Sequence, residues 1–162
     1  MNTILVPVDG SDHALKALHI ACDLAEKYGG GIALLHVLAK DRRADNILGL
    51  ATAKTFGPKL NAALQETASK TPGKVPEKLL KLVGNKILDL AASKVRRRGL
   101  EADVLEIATG DPADCILIAH KQTGASTIVM GCRGAGDSGT SSFGSVSRIV
   151  FEKATCTCLS VK

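Results

Sequence analysis

Residues 3–8 (TILVPV) and 32–38 (IALLHVL) are apolar nearly without interruption. A strand with one face in water alternates apolar and polar side chains. A strand that is apolar throughout is buried on both faces, and the usual setting is a parallel sheet covered by helices on each side. Three more strands are read at 101–107, 127–130 and 156–161. The stretches between them carry helical signals. Ser11 N-caps a helix that runs to about Tyr28, with Leu15, Leu18, Cys22 and Ala25 on one stripe and Gly29-Gly30-Gly31 as its stop. Pro76 fits the first turn of a long helix to Arg98, whose apolar side is Leu79, Leu80, Val83, Ile87, Leu90 and Val95. Gly110-Asp111-Pro112 starts a helix to about Thr123, and another spans 145–154. Strands that alternate with helices predict an α/β fold: a five-stranded parallel sheet with right-handed crossovers and helices on both faces.

The stretch from Lys40 to Val75 breaks this rhythm. It holds Gly49, Gly57, Pro58, Pro72 and Gly73 and follows neither period well, so only a short helix at 59–69 is expected there. The 162 residues are read as one domain with a variable insert at about 40–75.

In open parallel sheets, ligands sit beyond the carboxyl ends of strands where the strand order reverses. The stretch Ile128-Val129-Met130-Gly131-Cys132-Arg133-Gly134 runs a strand straight into a glycine turn, and Gly144-Ser145-Val146-Ser147 then opens a helix. Gly131 and Gly134 let backbone approach a ligand closely. Unpaired amides at the helix start, the Ser145 hydroxyl and the Arg133 guanidinium are a set suited to phosphate. The alternative is a polar surface loop whose glycines serve only the turn. If the first and fourth strands are neighbours, Pro7, Val8 and Asp9 face this nest across one crevice. There Asp9 is placed to hold a ribose hydroxyl or Mg²⁺; its other reading is an Asx turn or helix cap.

Other signatures fail. The P-loop pattern G-x-x-x-x-G-K-S/T is absent, the one Gly-Lys being Gly73-Lys74, followed by Val75. Gly134-Ala135-Gly136-Asp137-Ser138-Gly139 satisfies G-x-G-x-x-G literally but does not open a helix and is followed by no strand with a terminal acid, so a dinucleotide site is not read from it.

The net charge of +5 is spread along the chain, and Arg96-Arg97-Arg98 before Gly99 is accounted for by a helix C-terminus. Aromatics are 2% of the residues, too few for a base-stacking platform, and no nucleic-acid partner is expected. No apolar run is long enough to span a membrane, and Met1-Asn2-Thr3 leads into a strand without a signal region, so a soluble cytoplasmic protein with no membrane partner is expected. Five cysteines, an odd number, argue against a disulfide framework. Cys22 and Cys115 are read as core thiols, and Cys156 and Cys158 as a packing pair on one face of a strand. Cys132, in the glycine turn, is reactive if exposed.

These residues together resemble the universal stress protein family over nearly the whole chain. Ile4-Leu5-Val6-Pro7-Val8-Asp9-Gly10-Ser11 looks like its N-terminal motif, and Gly110-Asp111-Pro112-Ala113 like its third-helix entry. Most specific is G-x2-G-x9-G-S/T, met by Gly131, Gly134, Gly144 and Ser145, the pattern of the family's ATP-binding branch. The resemblance implies a Rossmann-like fold and a cofactor that is ATP, with ADP and AMP left open and Mg²⁺ arriving with the nucleotide at Asp9. It implies that Pro7, Val8 and Asp9 border ribose and adenine, that Val37 meets the adenine edge, and that Met130 lines the same pocket. Gly131, Arg133, Gly134, Gly144, Ser145 and Val146 would surround the phosphates. The last strand, from Thr155 to Val161, would pair with its mate in a homodimer, covering an edge that would otherwise invite uncontrolled pairing. Departures are the polar loop 136–143 (GDSGTSSF), Cys156-Thr157-Cys158 in place of a usual Cys-Pro-Val, and the stretch from Lys40 to Val75, which matches nothing in the family.

Two functional classes follow: a nucleotide-dependent regulatory module of the stress response, or a slow ATPase or phosphoryl-transfer enzyme. Catalysis needs a group that orients water or a nucleophile at the γ-phosphate, and only Asp9 and Asp137 offer themselves. No histidine has a place there, so binding without turnover is the expectation. A structural dimer without nucleotide, or a thiol sensor at Cys132, is the third class.

Overall fold

A computed structural model of the chain describes residues 2–38, 43–70, 75–134 and 143–162. In chain order the elements are β1 (Thr3–Pro7), α1 (Asp12–Tyr28), β2 (Gly31–Leu35), β3 (Val37–Leu38), α2 (Ala44–Leu48), α3 (Pro58–Lys70), α4 (Glu77–Arg97), β4 (Ala102–Val104), β5 (Ala108–Thr109), α5 (Pro112–Thr123), β6 (Thr127–Gly131), α6 (Ser145–Lys153) and β7 (Thr157–Val161). Five strands form one sheet in the order β4-β2-β1-β6-β7, and β3 pairs with β5 in a small second sheet. Every pairing is parallel; Ile4 stands opposite Ile32 on one side and Thr127 on the other. The α/β architecture expected from the apolar runs is therefore the one observed.

Alternation along the strands divides the core in two. Ile4, Val6, Ile32, Leu34 and Val129 face the layer holding α1 and α4. Leu5, Ala33, Leu35, Ile128 and Met130 face α5 and α6. Both sides of these strands are buried, which is why the sequence shows apolar runs and not an alternating pattern.

One expected strand is divided and another is shortened. The run 32–38 breaks at His36, whose imidazole turns to the Val8 carbonyl, Nδ1 to O 2.7 Å. The run 101–107 contributes β4 at the sheet edge, and the ladder resumes further on, where the Ala108 amide donates to the His36 carbonyl at 3.0 Å. Pro76 is the N-cap of α4 and not its first helical residue; its carbonyl accepts from the amides of Leu79 and Leu80.

The described residues of the stretch from Lys40 to Val75 hold more structure than the one short helix expected. Besides α3 there are α2 and a 3₁₀ turn, Ala53–Thr55. Ala44, Ile47, Leu50, Ala53, Phe56, Leu60, Leu64 and Val75 lie in the same buried cluster as α1 and α4. A five-residue helix and a single 3₁₀ turn are shorter than the window over which periodicity is visible, so the signal was absent although the burial is real.

Candidate functional site

β1 lies between β2 and β6, so the chain departs in opposite directions across the sheet on either side of β1. The point of reversal is the carboxyl rim of β1 and β6, where α/β sheets open a crevice.

On the β1 side, Pro7 closes the ladder opposite Leu35. The Val8 amide continues it by donating to the Leu35 carbonyl at 2.8 Å, and the Val8 carbonyl accepts from His36. Asp9 then turns the chain. Its Oδ1 accepts from the Ser11 amide at 3.0 Å and from the Ser11 hydroxyl at 2.6 Å, an Asx turn. The Ser11 oxygen accepts in turn from the Ala14 amide at 3.2 Å and so caps α1 as the sequence suggested. Gly10, at φ +84°, takes the left-handed conformation this turn requires.

On the β6 side, Met130 is buried and Gly131 is the last residue of the strand. A Cβ placed on Gly131 would stand 2.8 Å from His13 Cβ and 2.9 Å from the His13 carbonyl carbon. The missing side chain is therefore needed for the first turn of α1 to lie against the end of β6. Gly134 is different: its Cβ would stand 3.1 Å from Asp9 Oδ2. That close approach brings the glycine turn up to the β1 carboxylate.

Cys132 ties this turn to the start of α6. Its amide donates to the Val161 carbonyl at 2.8 Å, and its carbonyl accepts from the Gly144 amide at 2.8 Å and the Ser147 hydroxyl at 2.8 Å. Gly144 is the N-cap of α6 and has no side-chain capping bond. Ser145 is exposed and Val146 half-buried at that helix start, and Arg133 is half-buried in the turn. Val37 sits in β3 at the same carboxyl rim, half-buried, and packs against the cluster that contains Leu35 and Met130.

The fold thus gathers Asp9, Gly131, Gly134 and, through Cys132, Gly144, Ser145 and Val146. Asp137 and the rest of the G-x-G-x-x-G run after Gly134 lie outside the described residues. Cys132 is 2% exposed, so the exposure that would make it a reactive thiol is not met. Cys156 and Cys158 are half-buried, and burial raises both thiols above their ordinary range. Among the described residues, no group of three or more His, Cys, Asp or Glu side chains converges as a metal site. No described helix is long and apolar enough to cross a membrane.

Periodicity gave no warning of two contributors. His36 read as one more residue of an apolar strand, yet its ring holds Val8. Thr52 lies in the unpatterned stretch, yet it is buried and its hydroxyl donates to the Gly10 carbonyl at 3.4 Å. Two open grooves, about 530 and 640 Å³, run along β4 at the far edge of the sheet, between α4 and the residues after β4 and between β4 and α5. Neither is lined by Asp9, the glycine turn or the start of α6, so both are separate from the crevice at the rim.

Known proteins place this geometry in context. Residues 1–162 match the family model described as universal stress protein family. The universal stress protein YxiE of Bacillus subtilis is 33% identical over 161 residues, which cover 99% of both chains. The universal stress protein of Archaeoglobus fulgidus solved in complex with dAMP is 22% identical, with a TM-score of 0.65 over 100% of this chain and 98% of that one. A universal stress protein family member from Arabidopsis thaliana solved with AMP bound is 19% identical, with a TM-score of 0.62 over 100% of this chain and 92% of that one. At such identities the solved structures speak for the fold, and the family match and the Bacillus relative carry the assignment: the chain belongs to the universal stress protein family.

Proposed function

We propose that the chain binds an adenine nucleotide, ATP foremost, in the crevice between β1 and β6 and acts as a nucleotide-dependent regulatory module of the stress response. The observation that carries this reading is the approach of Gly134 to Asp9, which leaves a cradle that a single Cβ would begin to fill. The start of α6, whose N-cap Gly144 has no side chain to cap with, supports a phosphate site, because its first amides and its dipole favour negative charge. The dAMP and AMP complexes of structurally similar proteins support adenine as the base. In this reading Pro7, Val8, Val37 and Met130 border the base and sugar. Gly131, Arg133, Gly134, Gly144, Ser145 and Val146 surround the phosphates. Asp9 meets a ribose hydroxyl or a Mg²⁺ carried by the nucleotide through Oδ2, the oxygen that stands 3.1 Å from the Cβ position of Gly134. The engagement of Oδ1 by Ser11 makes Asp9 an element of the turn, bound to the cap of α1.

Calorimetric titration of the nucleotide-stripped protein with ATP, ADP and AMP, with and without Mg²⁺, run beside a phosphate-release assay, tests the proposal. Micromolar binding with negligible release is expected. No binding of any of the three would overturn the reading, and sustained release would make the protein an enzyme.

The same reading includes a homodimer through β7, which among the described residues pairs with β6 alone. Its Leu159 is 37% exposed. A sedimentation experiment that finds monomer at all concentrations would remove this part of the proposal.

A further inference from the structure

We propose that His36 is a positioning residue for the nucleotide crevice, holding the Val8 carbonyl so that the Asp9 turn stands where Gly134 meets it. The inference rests on the nucleotide reading above and goes beyond it, because His36 lies behind the crevice in the protein interior.

Val8 is the first residue beyond the β1 ladder, where a chain ordinarily loses its hydrogen-bonding partners. Here both of its backbone polar groups are taken, by the last residue of β2 and by the residue that follows it. The amide donates to the Leu35 carbonyl at 2.8 Å, and the carbonyl lies 2.7 Å from His36 Nδ1. A carbonyl only accepts, so Nδ1 carries the proton. His36 is 4% exposed, and a hydrogen bond so buried is costly to lose because no water replaces it. One residue after this anchor comes Asp9, whose Oδ2 is 3.1 Å from the Cβ position of Gly134. The clearance on which the cradle depends is therefore set by where Val8 is held.

The ring itself is held by α4. A Cβ on Gly84 would stand 2.7 Å from His36 Cδ2, 3.1 Å from Nε2 and 3.0 Å from Ile107 Cδ1. Gly84 costs helix propensity in the middle of a long helix, and the space it leaves is occupied by the imidazole. The His36 carbonyl meanwhile accepts from the Ala108 amide, so the same residue anchors the small second sheet. Pressure on α4 at Gly84 is thereby transmitted through the imidazole to the end of β1.

The test compares ATP affinity and thermal unfolding for the full chain and for His36→Leu, His36→Asn and Gly84→Ala. His36→Leu is expected to weaken ATP binding by about tenfold, the worth of one buried hydrogen bond. Asn places an amide N–H near the Nδ1 position and should recover most of that loss. Gly84→Ala, a change that favours helix by itself, should weaken binding in the same direction. Equal affinities for wild type, His36→Leu and Gly84→Ala would overturn the proposal while leaving the nucleotide reading intact. An Asn variant no better than Leu would reduce His36 to packing and overturn it too. Failure of the wild type to bind ATP, ADP or AMP would overturn both. Should His36→Leu not fold, ¹⁵N imidazole spectra of the wild type decide. An Nδ1-protonated His36 whose resonances shift as nucleotide saturates the site supports the proposal, and resonances that stay still overturn it.

Discussion

At Gly134 a methyl group would stand beside a carboxylate oxygen, whereas at Gly131 it would stand against the backbone of α1. The two glycines belong to one motif, yet they answer to different constraints. Gly134→Val is expected to leave the protein folded, since the turn there is exposed, and to weaken nucleotide binding by at least about tenfold, read by calorimetry. Gly131→Val is expected to cost about 1–3 kcal/mol of stability, because the end of β6 and the first turn of α1 must part to admit it. Urea unfolding measures that loss, and an unchanged midpoint would contradict the packing role. Seen as sequence, both residues read as close-approach glycines for a ligand. Spacing shows that a side chain is absent; only the neighbours across the fold show which atom uses the space.

Among the elements, the segment comprising α2, the 3₁₀ turn and α3 departs furthest from what its sequence suggested. Leu64 on α3 is 0% exposed and belongs to the main core. Leu64→Ala should therefore destabilise the protein by about 2–5 kcal/mol, as a core truncation does, and not by the few tenths expected in a surface insert. Chemical denaturation distinguishes the two. The segment also reaches the crevice, since a Cβ on Gly10 would stand 2.6 Å from Thr52 Oγ1, one residue from Asp9. The other helices follow their patterns with a few exceptions. α1 buries Leu18, Cys22 and Ala25, while Leu15 stays partly exposed. The arginine cluster ends α4 before Gly99 at φ +73°. Arg98 adds something the dipole argument lacked. It donates to Glu26 and Asp23 on α1 at 2.6 and 2.7 Å and pins the two helices of one layer together.

At the scale of the whole molecule, the stability lent by the edge strand β7 is expected to depend on pH. Burial, together with the neighbouring Cys156 thiol, pushes the Cys158 thiol from its ordinary 9.0 up to about 11. The folded thiol keeps its proton after the unfolded chain has lost it, so its contribution is complete below pH 9.0 and is lost as pH rises to about 11. Urea unfolding on either side of that window should show stability falling with pH, and Cys158→Ala should flatten the fall. A slope identical in the variant would mean that the thiol is not desolvated in solution.

The sequence by itself determined the class of fold, because a strand apolar on both faces has few settings other than a covered parallel sheet. It also determined most helix limits, because Ser11, Asp111 and Gly99 act within a turn of themselves. The candidate site was legible to the extent that it is local: a glycine turn, then a helix start at fixed spacing. Tertiary structure decided the rest. Only the strand order β4-β2-β1-β6-β7 puts Asp9 opposite Gly134, residues 125 positions apart in the chain. Only the folded chain brings the His36 ring to Val8 and the unpatterned segment into the core. Periodicity reports which face a residue turns to the interior. What waits for it there depends on contacts between residues far apart in sequence, and those exist only once the chain is folded.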